Sequence, residues 1–254
     1  MLPPEPRISD EIVSYRLPFE QDLFAELSSS AVLEDVGKGR RGATLTKTDA
    51  AGRVPLVRTT TRYSSPAQHF RAVHDRLAQQ IQEVAGLSVA FNNALIEIYT
   101  NAYATMGSHS DQALDLADES FIAVFSCYRY PELIPPRKLI FTPKDSSENF
   151  EIPLAHNSIV AFSVASNRRL QHKIVLDTPA PENHWLGVTF RTSKTFLHFR
   201  EGHAHLPQGA PLTPADEPQQ REFYQLRRRE NNETTFTYPP LTYTVSKSDL
   251  LPPI

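Results

Sequence analysis

The chain has 254 residues, 40% of them hydrophobic and 22% charged, which suits one globular β-rich domain with flanking elements. No apolar run approaches the roughly 20 residues a helix needs to cross a bilayer. MLPPEPRISDEI lacks the basic-then-apolar order of a secretory signal, so an intracellular protein with no membrane partner is the simplest expectation. A single cysteine, Cys127, excludes internal disulfides and cysteine-clustered zinc or iron–sulfur sites, so any metal must be held by His and carboxylates. The net charge of -3 conceals an asymmetry: residues 36 to 76 carry nine Lys or Arg against two Asp, a formal +7. Such a segment can meet nucleic acid, or it can be a plain solvated loop.

After a loose Pro-rich start, PFEQDLFAELSSS places Phe19, Leu23, Phe24 and Leu27 on one face of a short helix. Residues 36 to 66, rich in Gly, Thr, Arg and Ser, predict hairpins or loops. A second helix is predicted with Ser65 as N-cap, Pro66 at its first position, Phe70, Val73, Leu77, Ile81 and Val84 at helical spacing, and Gly86 as its stop.

From residue 91 to 200 the pattern changes to about eight short runs rich in β-branched and aromatic residues: ALIEIY, SFIAVFSCY, RKLIFTP, FEIPL, SIVAFSV, LQHKIVL, WLGVTFR and KTFLHF. Close spacing of strands favours a sandwich or jelly roll over a βαβ sheet. The expectation is one mainly β domain with flanking helices (α+β), divided into N-terminal helices and loops (1–90), a β core (91–200) and a C-terminal extension (201–254). In that extension TPADEPQQREFYQLRRREN predicts a helix with Thr213 as N-cap, Pro214 at the first position and Asp216 as capping-box acid, and LTYTVS predicts a last strand.

Chemistry concentrates in the β region. A non-haem iron centre that must admit both an oxidant and a co-substrate uses two His and one carboxylate, leaving positions open. His109-Ser110-Asp111 supplies two such groups, because alternation on a strand sends His109 and Asp111 to the same side. His172, in LQHKIVL, is the candidate third ligand from another strand. Downstream lies Thr189-Phe190-Arg191, whose Arg suits a dicarboxylate because its planar fork grips a carboxylate through two hydrogen bonds and stays ionised. His203 and His205, set among Gly, Pro and Ala, read as an incidental pair in a loop, and Cys127 as a buried apolar residue.

These residues lie in a chain that resembles the AlkB-like family of Fe(II)- and 2-oxoglutarate-dependent dioxygenases, from about Val54 to Phe199. FNNALIEIYTNAYATMGSHSD is similar to the family segment running from an FN pair through a strand and a tyrosine to HSD, and FEIPLAHNSIVAFSVASNRRLQHKIVL and WLGVTFR resemble its later strands. The resemblance implies a double-stranded β-helix (jelly-roll) core. It also implies Fe(II) held by His109, Asp111 and His172, 2-oxoglutarate and O2 as co-substrates, and Tyr99 and Arg191 as 2-oxoglutarate contacts. Hydroxylation of a substrate follows from it, and that becomes demethylation when the carbon is an N-methyl group.

The chain departs from the family at the closing strand, usually R-x-N-x-T-F-R, where Trp185 and Gly187 occupy the Arg and Asn places. One carboxylate clamp is thus missing, and Arg168, in parity with His172 if the strand extends that far, is a candidate replacement, unless it is exposed in the turn after Asn167. Glu97 stands where the family has Asn; beside a dicarboxylate it would be expected to pair with a cation, such as Arg191, or to face the substrate. VPLVRTTTRYSSP sits where nucleic-acid members carry a lid, and offers Arg58, Arg62 and Tyr63 to a flipped methylated base. The alternatives are the same chemistry on a small metabolite or protein side chain, or a non-catalytic interaction module on the same fold.

Overall fold

The computed structural model describes residues 11–18, 22–133, 136–178 and 180–254. The Pro-rich start and Phe19 lie outside them. The first strand, β1 (Ile12–Arg16), is followed by helix α1 (Leu23–Ser28), which Asp22 caps by accepting the Ala25 N–H, and Leu23, Phe24 and Leu27 are buried as expected. A hairpin of β2 (Glu34–Gly37) and β3 (Arg40–Thr46) comes next, then β4 (Val54–Leu56), β5 (Gln68–His69) and helix α2 (Ala72–Val84).

Helix α2 begins at Ala72, not at Pro66. Residues 67 to 69 are instead claimed by tertiary pairing: Leu45 and Thr46 of β3 pair with Gln68 and His69, and Ile254 exchanges backbone hydrogen bonds with Ala67 and His69. The helix stops where expected, with Gly86 at φ +63, a conformation that costs glycine little.

The core strands follow closely: β6 (Asn93–Tyr99), β7 (Phe121–Tyr128), β8 (Arg137–Pro143), β9 (Phe150–Pro153), β10 (Ser158–Ser163), helix α3 (Val164–Arg169), β11 (Leu170–Leu176) and β12 (Trp185–Arg191). The large sheet has the order β1-β10-β7-β12-β6-β3-β2, with β5 beside β3, and the small sheet has the order β11-β8-β9. Two antiparallel bridges, Thr105 to Val175 and His109 to His172, lay residues 105 to 109 along the free edge of β11. The chain therefore shuttles between the sheets: β6 large, 105–109 small, β7 large, β8 and β9 small, β10 large, β11 small, β12 large. That alternation defines a double-stranded β-helix, and the molecule is mainly β with flanking helices.

Period-2 alternation gives the large sheet two different faces. Leu186, Val188 and Phe190 of β12 pack with Ile96, Phe125 and Ile159 against Leu27, Leu77 and Ile81 of the helices. Their neighbours Trp185, Gly187, Thr189 and Arg191 face the space between the sheets, where Val124, Leu139 and Ile174 also lie. One β12 surface builds a core, and the other walls a cavity.

Beyond the jelly roll, β13 (Thr195–Arg200) pairs with β4 and with β14 (His203–His205), so the His-x-His expected in a loop is in a short strand. Short strands β15 (Thr213–Pro214) and β16 (Tyr243–Thr244) pair in parallel, and helix α4 (Glu217–Asn232) lies between them in sequence. Its cap is Asp216, whose carboxylate accepts the Gln219 N–H while the Asp216 N–H donates to Gln219 Oε1. Thr213 and Pro214 are held in β15 and cannot start it. No helix among the described residues is long and apolar enough to cross a membrane.

Candidate metal centre

His109 and His172 face each other across an antiparallel bridge, with His109 N–H donating to His172 O at 3.0 Å and His172 N–H to His109 O at 2.7 Å. Cross-strand pairing forces the rings together, 4.6 Å between centroids. Asp111, two residues on, presents Oδ1 at 3.6 Å from each Nε2. Ligand atoms of these three residues lie within 4.8 Å of one another, the one such cluster among the described residues.

The surroundings fix each ligand's chemistry. His109 Nδ1 lies 2.8 Å from Gly107 O, so Nδ1 carries the proton and Nε2 keeps its lone pair free for a metal. Burial lowers the His172 pKa, which favours the neutral ring a ligand needs. Burial pushes the Asp111 carboxyl up, but Arg191 and the two imidazoles outweigh it and hold the carboxyl well below the usual range. Arg191 grips Oδ2 with Nε at 2.7 Å and Nη2 at 2.6 Å, which leaves Oδ1 to the imidazoles.

The His-x-Asp backbone is clamped as well. Asn167 accepts the Asp111 N–H and donates to Asp111 O, both at 2.8 Å. From α4, Asn231 accepts the Ser110 N–H at 3.0 Å, Arg227 donates to Ser110 O at 2.8 Å, and Glu230 accepts the Ala113 N–H at 2.8 Å. The C-terminal helix, which sequence reading left without a role, thus fixes the loop that carries two candidate ligands. No local pattern marked Arg227, Glu230 or Asn231, because their partners lie more than a hundred residues away.

A cavity of about 440 Å³ runs from these groups to Tyr99 and Trp185, and Thr189, Glu97 and Arg191 also line it. Tyr99 is a buried neutral phenol whose hydroxyl donates to Glu97 Oε2 at 2.5 Å; burial first, then Glu97, raises its pKa well above the usual value. The Trp185 indole lies against Tyr99, centroids 4.8 Å apart, and donates from Nε1 to Ser126 Oγ at 2.6 Å.

Several expectations are corrected here. Glu97 does not pair with Arg191; its carboxylate takes the Tyr63 hydroxyl at 2.7 Å, the Tyr99 hydroxyl, and Arg40 at 3.3 Å. Arg168 does not replace the missing clamp: it lies in the last turn of α3 and pairs with Asp118 at the surface. Arg58 lines the cavity, but its guanidinium is spent on Asp115 and on the carbonyls of Leu241 and Tyr243, so it offers nothing to a phosphate. Tyr63 is buried and spent on Glu97, and exposed Arg62 meets Gln220 and Tyr224 of α4.

Five of the nine cations in the basic segment 36–76 have acidic partners among the described residues. Arg40, Lys47, Arg53, Arg58 and Arg76 pair with Glu97, Asp75, Asp49, Asp115 and Glu26 respectively. Three of those acids lie outside the segment, so counting charge along the chain overstated the patch.

No protein-family model and no curated protein matches the sequence. Among solved structures, OsALKBH1 is similar at a TM-score of 0.40 and 14% identity, covering 61% of this chain and 78% of that one. A prolyl hydroxylase from Trichoplax adhaerens, in complex with a hypoxia inducible factor oxygen degradation domain peptide fragment, is similar at a TM-score of 0.45 and 10% identity, covering 71% of this chain and 83% of that one.

Proposed function

We propose that this chain is an Fe(II)- and 2-oxoglutarate-dependent oxygenase of AlkB-like type. The observation that carries the reading is the convergence of His109, Asp111 and His172 at one end of the cavity, with the donor set of a non-haem ferrous oxygenase. Buried Arg191 Nη1 has no hydrogen-bond partner among the described residues, so the same wall keeps a free donor for an anionic co-substrate.

The three ligands would hold the iron, which when bound with 2-oxoglutarate and O2 supplies the oxidising power for hydroxylation. The protein's own part is positional. Arg191 keeps Asp111 ionised and turned, the Gly107 carbonyl sets the His109 tautomer, and α4 and Asn167 hold the ligand loop. Thr189 and Tyr99 line the co-substrate wall, and the aromatic end formed by Tyr99 and Trp185 limits water.

Likeness of FNNALIEIYTNAYATMGSHSD to the family points to a methylated nucleic-acid base as substrate. A second reading, a small metabolite or a protein side chain, is favoured by the pairing of the basic segment's cations and by the buried, fully engaged Arg58. A succinate-release assay against methylated oligonucleotides, amino acids and cell extract tests both, with His172→Ala as blank. Activity on oligonucleotides that falls steeply with salt supports the base. Activity only on small molecules supports the second reading, and no succinate above the blank with any substrate overturns the oxygenase.

A further inference from the structure

We infer that Arg40, on β3 and outside the jelly roll's eight strands, is the cation that anchors the far carboxylate of the five-carbon diacid; this rests on the oxygenase reading. A diacid held at the metal end by one carboxylate buries a second charge at the other end of the cavity. That charge needs a cation or hydrogen-bond donors. Among the cavity-lining arginines, Arg58 is bound to Asp115 and Arg227 to Glu230, and Arg191, whose Nη1 has no partner among the described residues, is held by Asp111 at the metal end. Arg40 alone of the four lies at the Tyr99–Trp185 end.

Its place follows from strand register. Trp185 of β12 pairs with Tyr99 of β6, and Tyr99 pairs with Arg40 of β3, so the three form one row across the large sheet. Residues directly opposite share a face, and all three line the cavity. In the neighbouring row, Gly187, Glu97 and Gly42 are aligned, and a Cβ on Gly42 would come within 2.8 Å of Glu97 Cγ, so glycine there makes room for the acid.

Glu97 does not cancel this role. Arg40 uses Nη1 on Glu97, while its buried Nε has no partner among the described residues. A second buried cation, Arg137, stacks on the rings of Tyr99 and Trp185 at 5.6 and 5.8 Å, and gives its two Nη groups to the carbonyls of Tyr103 and Thr100. No carboxylate pairs with Arg137 among the described residues, so Arg40, Glu97 and Arg137 together leave one positive charge at this end. One incoming carboxylate matches it.

The test uses Trp185, the only tryptophan in the chain, as reporter of the cavity. The full chain loaded with Mn(II) is titrated with 2-oxoglutarate and with 2-oxopentanoate, which has the same chain length but no far carboxylate, following Trp185 fluorescence. Wild type should prefer 2-oxoglutarate. Arg40→Met/Glu97→Gln, which leaves no lone buried acid, should weaken 2-oxoglutarate by about 30-fold and 2-oxopentanoate by less than about 3-fold, and Arg40→Lys should recover part of the loss. The inference is overturned if the double variant and Arg40→Lys both bind 2-oxoglutarate as wild type does, or if both acids weaken alike. It is also overturned if discrimination is lost only in Arg137→Met. A wild type that binds 2-oxoglutarate no better than 2-oxopentanoate removes the anchor and leaves the oxygenase standing; one that binds neither acid removes both.

Discussion

The indole of Trp185 lies over the Cα of Gly187: a Cβ built there would come within 2.6 Å of Cη2 of the ring. Trp185 and Gly187 therefore act as one unit, a large ring filling the space that a glycine two residues on leaves free. Gly187→Ala should push the ring off its place and lower stability by about 1–3 kcal/mol, as overpacking does. Trp185→Phe should restore most of that loss in the double variant. Thermal melts of the four proteins measure the coupling, and simple additivity would show that the two sites are independent.

Arg58 and Arg62 look equivalent in the sequence but should behave differently. Arg58→Ala strands Asp115, which is 1% exposed, without its cation and should cost about 3–5 kcal/mol. Arg62→Ala loses exposed contacts and should cost less than about 1 kcal/mol. Urea unfolding of both variants checks the contrast, and equal costs would refute the assignment of Arg58 to the buried pair.

Asn231 tests whether the C-terminal helix supports the metal centre. Asn231→Ala removes the acceptor of the Ser110 N–H and should cost about 1–3 kcal/mol, with metal affinity lowered about 10-fold. Isothermal titration with Mn(II) reads the affinity. A variant that melts lower but binds Mn(II) like wild type would confine Asn231 to the fold.

His74 sets a pH dependence far from the metal. Its Nδ1 accepts the Arg71 N–H at 3.0 Å, so Nε2 carries the proton toward Ser30 Oγ at 2.7 Å. Burial first, then Arg71, lowers its pKa from 6.5 to about 4. The folded chain thus binds fewer protons than the unfolded one between these values. The stability from neutral His74 is complete above pH 6.5 and is lost as pH falls toward 4, by up to about 3 kcal/mol. His74→Gln should flatten urea midpoints over that window; an unchanged pH slope would assign the loss to other groups.

Much of the jelly roll was legible because its signals are local. RKLIFTP, LQHKIVL and WLGVTFR coincide with β8, β11 and β12. The start of α2 was not legible, since Ser65-Pro66 is a sound local cap and only Leu45, Thr46 and Ile254 pull residues 67 to 69 away. The His109-x-Asp111 triplet and His172 are weak signals alone and gained weight from Arg191 downstream and from the likeness to the AlkB-like family; the structure brings the three side chains together. Arg40 and Arg227 escaped because side chains brought in from outside the jelly roll leave no mark at sequence distance.

The most direct measurement is an anaerobic titration of the metal-free chain with Fe(II), followed by 2-oxoglutarate, watched in the visible. Wild type should take up one ferrous ion per chain and develop the weak charge-transfer band of a chelated keto acid, while His172→Ala should show neither. A correctly folded wild type that binds no Fe(II), or binds it and gives no band with 2-oxoglutarate, would contradict the assignment of this centre.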